Sequence, residues 1–147
     1  MNNAGTFYSA FMRSAGLFLA CLPFIACSNL FEGKPHAEKG VVQFHEQFNS
    51  RKFSDIYGNA HDDFKNSISK VKFLEFASAV HRKLGTVVKT ENAGWRVNSH
   101  NLTAYVVLQQ STKFKDGTGD EVFTFIIKDN KALLAGYNIN SNELIIR

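Results

Sequence analysis

The residues of this 147-residue chain whose types could do chemistry are five histidines, two cysteines and a scatter of acids and tyrosines. His36, His45, His61, His81 and His100 include no pair four apart on a helix, and none falls in a metal-ligand motif. The densest grouping is His61-Asp62-Asp63. Adjacent side chains diverge, so it reads as a polar helix junction that would need a partner from elsewhere to hold an ion. Asp55 or Asp62 beside Tyr57 is the pairing to weigh for a carboxylate base and a hydroxyl donor. Asp55 and Tyr57 are two apart, however, and on a helix would not face each other. Gly117-Thr118-Gly119 lacks the Lys-Ser/Thr and the following helix of a phosphate loop. No catalytic residue, metal or cofactor is expected.

Cys21 and Cys27 both lie in the uncharged stretch SAGLFLACLPFIACSNLF, between Arg13 and Glu32. A basic residue, an apolar run of roughly a dozen residues and a small-residue end read as a secretory leader. The run is marginal for a membrane span, which needs about 20 apolar residues, and Pro23 interrupts it. Met12, with Arg13 directly after it, offers a second translation start and a more compact leader. Residues 28–147 hold no cysteine. The exported part therefore has no disulfide, although its compartment would permit one, and its stability must rest on a hydrophobic core. Roughly 120 residues suit one such core.

Phe24-Ile25-Ala26-Cys27, followed by Ser28, resembles the bacterial lipobox, whose cysteine carries diacylglycerol. Phe18-Leu19-Ala20-Cys21 has a similar shape but would leave Leu22, Pro23, Phe24 and Ile25 on the mature chain, so Cys21 is the second choice. The resemblance implies a signal peptide over 1–26, lipidation at Cys27 with palmitate-type acyl chains, a tether over 27–35 and a domain over 36–147. It also implies a lipid-anchored protein of a bacterial envelope, on the periplasmic face of a membrane or at the cell surface. The chain is weakly basic, net +4. Its charges are interspersed, without the basic block that would suit nucleic acid.

Elements must position whatever this domain presents. Ala37, Val41, Phe44 and Phe48 follow the helical period and predict a helix over 36–50, with Arg51 and Lys52 in its last turn and His45 one position off the stripe. A second, short helix is expected from Phe53 to about Ala60, capped by Ser54 or Asp55. Ser69 caps a third, whose stripe is Phe73, Phe76, Ala77, Val80 and Leu84, and Gly85 suits a left-handed C-cap. The period then drops to two, giving strands over 86–97, 101–113, 120–128 and 132–140. Asp116-Gly117 predicts a tight hairpin turn with positive φ at both positions, and Asp129-Asn130 predicts another. In the latter, Lys128 pairs with Lys131, Phe125 with Leu134, Phe123 with Gly136, Ile126 with Leu133 and Val122 with Tyr137. The face of Phe123, Phe125 and Ile127 is assigned to the core, which the nine phenylalanines after residue 36 can fill.

Helices followed by a four-stranded antiparallel meander make the fold class α+β. That order resembles the cystatin-like cone shared by nuclear-transport-factor-2-like and ketosteroid-isomerase-like proteins. The stretch EVFTFIIKDNKALLAGYNI, 121–139, looks like the last hairpin of small bacterial lipoproteins of that superfamily. The resemblance implies a curved sheet around a long helix, and pairing of cones through their sheets as a homodimer. Tyr57, Trp95, Tyr105, Phe123 and Tyr137 are the aromatic residues expected to line a pocket or an interface. Three functions follow as expectations. The first is a membrane-tethered, non-enzymatic module that binds a protein partner or assists envelope assembly. The second is a carrier or sensor of a small apolar ligand. The third is an isomerase-like enzyme, for which no residue of that family's motif is matched.

Overall fold

Gly33, Ala37, Val41, Phe44 and Phe48 are buried at steps of three and four, and they wind α1 (Asn29–Asn49) along one face. The computed structural model describes residues 29–101 and 103–146, so Cys21, Cys27 and the leader lie outside the described residues. The helix starts at Asn29 rather than at 36 and runs through Pro35, so residues 29–35 are helical and not a loose tether. The reason is visible at Gly33. A Cβ there would lie 3.0 Å from Val106 Cγ2, so a buried position of the stripe ahead of Ala37 is a residue that no apolar count registers.

The end of α1 is a Schellman turn. Arg51 N–H donates to Phe48 O at 3.0 Å and Lys52 N–H to Gln47 O at 2.8 Å, with Arg51 at φ 55 where glycine is usual. Arg51 and Lys52 therefore follow the helix instead of forming its last turn. The Asn49 amide then joins α1 to the first strand, accepting from Val87 N–H at 2.7 Å and donating to Val87 O at 3.1 Å.

The second helix, α2 (Phe53–Asn59), follows Lys52 without a side-chain cap, so neither Ser54 nor Asp55 plays that part. A further helix, α3 (Asp62–Ser67), occupies the expected junction: His61 is its N-cap, and its ring Nδ1 accepts from Asp63 N–H. Capping helix α4 (Lys70–Leu84), Ser69 accepts from Lys72 N–H. Its stripe departs from expectation at two places: Phe76 is 36 % exposed and His81 is buried.

Gly85 ends α4 at φ 77 and ψ −157. This is the glycine-only extended region and not the left-handed helical one. A Cβ there would also stand 2.8 Å from Asp116 Oδ2 and 3.0 Å from Lys115 Cβ. Gly85→Ala should therefore destabilise the protein by about 1–3 kcal/mol, read as a fall in the urea midpoint with an unchanged slope. An unaltered midpoint would contradict that backbone geometry.

Four strands follow, β1 (Val87–His100), β2 (Thr103–Phe114), β3 (Gly117–Lys128) and β4 (Lys131–Asn140), in one antiparallel sheet of order β1-β2-β3-β4. The first hairpin turns after His100, with Asn101 at φ 47, so β1 runs further than expected and Asn101 is a turn residue. The second turns on Lys115 and Asp116, with Phe114 paired to Gly117 and no positive φ at Asp116 or Gly117. The third turns on Asp129 and Asn130, both at positive φ, with Lys128 opposite Lys131 as expected.

Register holds through Phe125–Leu134 and Ile126–Leu133, then slips at a bulge beside Thr124. Beyond it Phe123 meets Tyr137, not Gly136, and Val122 meets Asn138, not Tyr137. A short α5 (Asn142–Ile146), absent from the sequence reading, closes the described chain. All the phenylalanines after residue 36 except Phe76 are buried, and α1 touches all four strands. The result is an α+β fold in which one helix covers one face of an open sheet.

Candidate functional site

The bulge decides what the interior contains. By moving Tyr137 opposite Phe123 it brings the phenol to the face under α1. Rings gather there: Phe44 lies 4.7 Å from Tyr137 and 5.1 Å from Phe123 between centroids, and Phe123 lies 5.0 Å from Tyr137.

A polar cluster sits beside these rings. Glu121 is 1 % exposed and stands two residues before Phe123, on the same face of β3. Three groups converge on its carboxyl: Tyr137 donates to Oε1 at 2.7 Å, Thr112 donates to Oε2 at 2.5 Å, and His45 Nε2 lies 2.8 Å from Oε2. Thr112 Oγ1 is also 2.9 Å from Thr90 Oγ1, which donates to Gln110 Oε1 at 3.3 Å. The partners come from four elements, His45 from α1, Thr90 from β1, Gln110 and Thr112 from β2, and Tyr137 from β4. A buried carboxyl needs such a set of donors, because its desolvation is otherwise uncompensated. Burial first, then the charge of Glu121 and the hydrogen bond to it, push the Tyr137 hydroxyl well above the ordinary tyrosine range. Tyr137 is thus a proton-bearing donor at every physiological pH.

The arrangement has the components of acid–base chemistry, a carboxyl, an imidazole and a phenol within hydrogen-bond reach. It lacks access. Glu121, Thr112 and His45 are 1 %, 1 % and 6 % exposed, so a substrate has no route to the carboxyl in this conformation.

Of the five aromatics expected at a pocket or interface, Phe123 and Tyr137 come together here. The other three are dispersed. Tyr57 is a packing residue whose hydroxyl donates to Ile68 O at 3.0 Å, with its ring 6.0 Å from Phe73. Tyr105 donates to Asp63 Oδ2 at 2.8 Å. Trp95 is exposed on β1, with the Lys34 ammonium 5.9 Å from its ring centre. Asp55 and Asp62 are exposed, and Tyr57 is committed to backbone carbonyls, so the isomerase-like pairing of these residues does not form. Glu121, Thr112 and His45 escaped the sequence reading. The signal was parity: position 121 alternates in phase with Phe123 and Phe125.

No protein-family model matches the chain, and no curated protein matches it in sequence. Among the described residues no helix is long and apolar enough to cross a membrane, and no three His, Cys, Asp or Glu converge on a metal position.

Proposed function

We propose that this protein is a membrane-tethered envelope lipoprotein, acylated at Cys27, that works as a non-enzymatic binding or assembly module through its outer surface. The observation that carries the non-carrier reading is the filled interior. Among the described residues, the space between α1 and the sheet is taken up by the Phe44–Phe123–Tyr137 rings and the Glu121 cluster. An apolar ligand would have to displace both, which disfavours the carrier or sensor reading. Recognition then falls to exposed features such as Trp95. The long helix lying across a bulged sheet supports a cystatin-like cone, whose interior in this chain serves stability.

The tether follows from the lipobox-like residues 24–27. Because α1 is already helical at Asn29, two residues after Cys27, an acyl chain on Cys27 would hold the folded domain close to the bilayer. Cys27→Ser should abolish acylation and leave an unprocessed precursor, read by metabolic labelling with an alkynyl fatty acid, whereas Cys21→Ser should behave as the parent. The reverse pattern would move the anchor to Cys21. Native mass spectrometry of the chain extracted gently from membranes tests the module reading. A mass beginning at Cys27 plus acyl chains, with nothing else retained, is expected. A co-purifying small apolar molecule would replace the module with a carrier.

A further inference from the structure

The uncharged run from Ser14 to Phe31 leads into α1, which starts at Asn29. An acyl chain in that run, on Cys27 or on Cys21, brings the bilayer to the first turn of α1. Packing fixes which end of the sheet lies there. A Cβ at Gly33 would stand 3.0 Å from Val106 and 3.5 Å from Ile127, whereas at the far end of the helix Asn49 is hydrogen-bonded to Val87. The membrane-proximal end therefore carries the β1–β2 and β3–β4 turns, and the β2–β3 turn lies at the other end.

Trp95 stands close to that proximal end. It pairs with Leu108, and Val97 pairs with Val106. Leu108 and Val106 are buried in the core with α1, so Trp95 and Val97 face the helix side of the sheet. The Lys34 ammonium lies 5.9 Å from the indole centre, and Lys34 is five residues into α1, about 7.5 Å along its axis from Asn29 at 1.5 Å per residue. Yet the indole is 39 % exposed, and Val97, two residues on, is half-buried. A large aromatic side chain is thus left open on an outermost strand, beside the first turns of the helix that the anchor precedes.

We infer that the indole of Trp95 docks into the headgroup–acyl boundary of the bilayer that holds the anchor, so that the domain lies on its β1 side. This docking rests on the tethered reading above and names the surface that Trp95 recognises. An indole joins an apolar ring to one polar N–H, and it settles where hydrocarbon meets headgroups. The strand that bears it limits the depth. β1 is a sheet edge, whose outward N–H and C=O groups need polar partners; headgroups and their water supply these, and the hydrocarbon does not. A further strand, from a second copy or a peptide, suits this edge poorly. β1 is irregular between Val87 and Lys89 and again between Asn92 and Gly94, directly before Trp95, and bulges of this kind interrupt edge-to-edge pairing. Charge does not oppose the bilayer. Lys34 is ion-paired with Glu38 at 2.7 Å, the one acid of β1, Glu91, is ion-paired with Lys89, and Arg96 adds a positive charge. Insertion of the ring, rather than attraction to anionic lipid, drives the contact, so uncharged phosphatidylcholine suffices.

Trp95 is the single tryptophan of the chain, so its fluorescence reports this position alone. The full chain, extracted gently from membranes, is reconstituted into phosphatidylcholine vesicles with plain or brominated acyl chains, with iodide added on both sides as the aqueous quencher. Brominated lipid should lower the Trp95 emission, and iodide should have little effect. The contrasting protein is Trp95→Phe with Val88→Trp. It moves the indole along the same strand to a position that is 63 % exposed, roughly 20 Å away at about 3.3 Å per residue. There iodide should quench and brominated lipid should not, with an unaltered urea midpoint as the check on the fold. Flotation separates the two readings. A chain that fails to float with the vesicles overturns the tether and the docking with it. A chain that floats while its Trp95 answers to iodide and not to brominated lipid leaves the tether standing and overturns the docking. Two further results overturn it: Trp95 shielded from both quenchers, which assigns its cover to protein, and equal quenching by brominated lipid at positions 88 and 95, which leaves the domain without a preferred side.

Discussion

Glu121→Ala is expected to destabilise the protein by about 3–5 kcal/mol, the range found when one partner of a buried charged cluster is removed. The carboxyl is 1 % exposed and receives Tyr137, Thr112 and His45. Truncation leaves those groups unpaired in a closed interior and opens a void beside Phe123. At this size roughly 3–6 °C of melting temperature goes with each kcal/mol, so a fall of about 10 °C or more should be seen. Glu121→Gln keeps the shape and one carbonyl acceptor, and should cost less, about 1–3 kcal/mol. Replacing the cluster together, Glu121→Leu with Tyr137→Phe and His45→Phe, should recover much of the loss, because a well-packed apolar set carries no desolvation penalty. Calorimetry of the four proteins checks this. A Glu121→Ala variant that melts with the parent would mean the three contacts do not hold the carboxyl.

Phe123→Ala should cost a similar amount, about 3–5 kcal/mol. Its ring is fully buried and lies within contact of Phe44, His45, Phe125 and Tyr137. Those neighbours belong to α1, β3 and β4, so collapse of any one of them cannot fill the space. The comparison is Trp95→Ala, which removes a larger side chain that is 39 % exposed and should cost clearly less. Urea unfolding at matched slope measures both. Because Phe123 touches His45 and Tyr137, its loss and that of Glu121 should not add. A sum of independent effects in the double variant would separate the rings from the polar cluster.

Some of this was legible in the residues. Asp129-Asn130 fixed its turn because both tolerate positive φ, and the first four pairs of that hairpin followed. Ser69 announced α4, and Phe123 and Phe125 announced the buried face. The rest was hidden for identifiable reasons. The start of α1 was masked by Gly33 and Pro35, which read as punctuation although one fits closely against Val106 and the other is carried within the helix. Helix α3 is hard to read from the residues because a histidine ring does the capping that a serine or aspartate usually does. Tyr137 lies on the face opposite to the one simple alternation predicts, because Ala135 is inserted at a bulge and Gly136 beside it reads equally well as an ordinary cross-strand partner of a phenylalanine. Glu121 and His45 do not stand out in the sequence because a charged residue in a strand, or a polar one off a stripe, is usually solvated. Only the fold shows that these two are each other's partner.

The distance along the chain between those partners has a consequence for the order in which the molecule assembles. His45 and Glu121 are 76 residues apart. Tyr137, against which Phe44 rests, comes later still. The three hairpins can close from neighbouring residues, which is fast. The apolar stripe of α1, although made before them, is not fully covered until the final strand has been delivered. During synthesis the part of that stripe that rests on Tyr137 therefore stays uncovered until β4 is made. A chain interrupted anywhere before β4 would present that face to whatever it meets. Helix α1 is thus the first of the described elements to be made and is completed as a packed face only when β4 arrives.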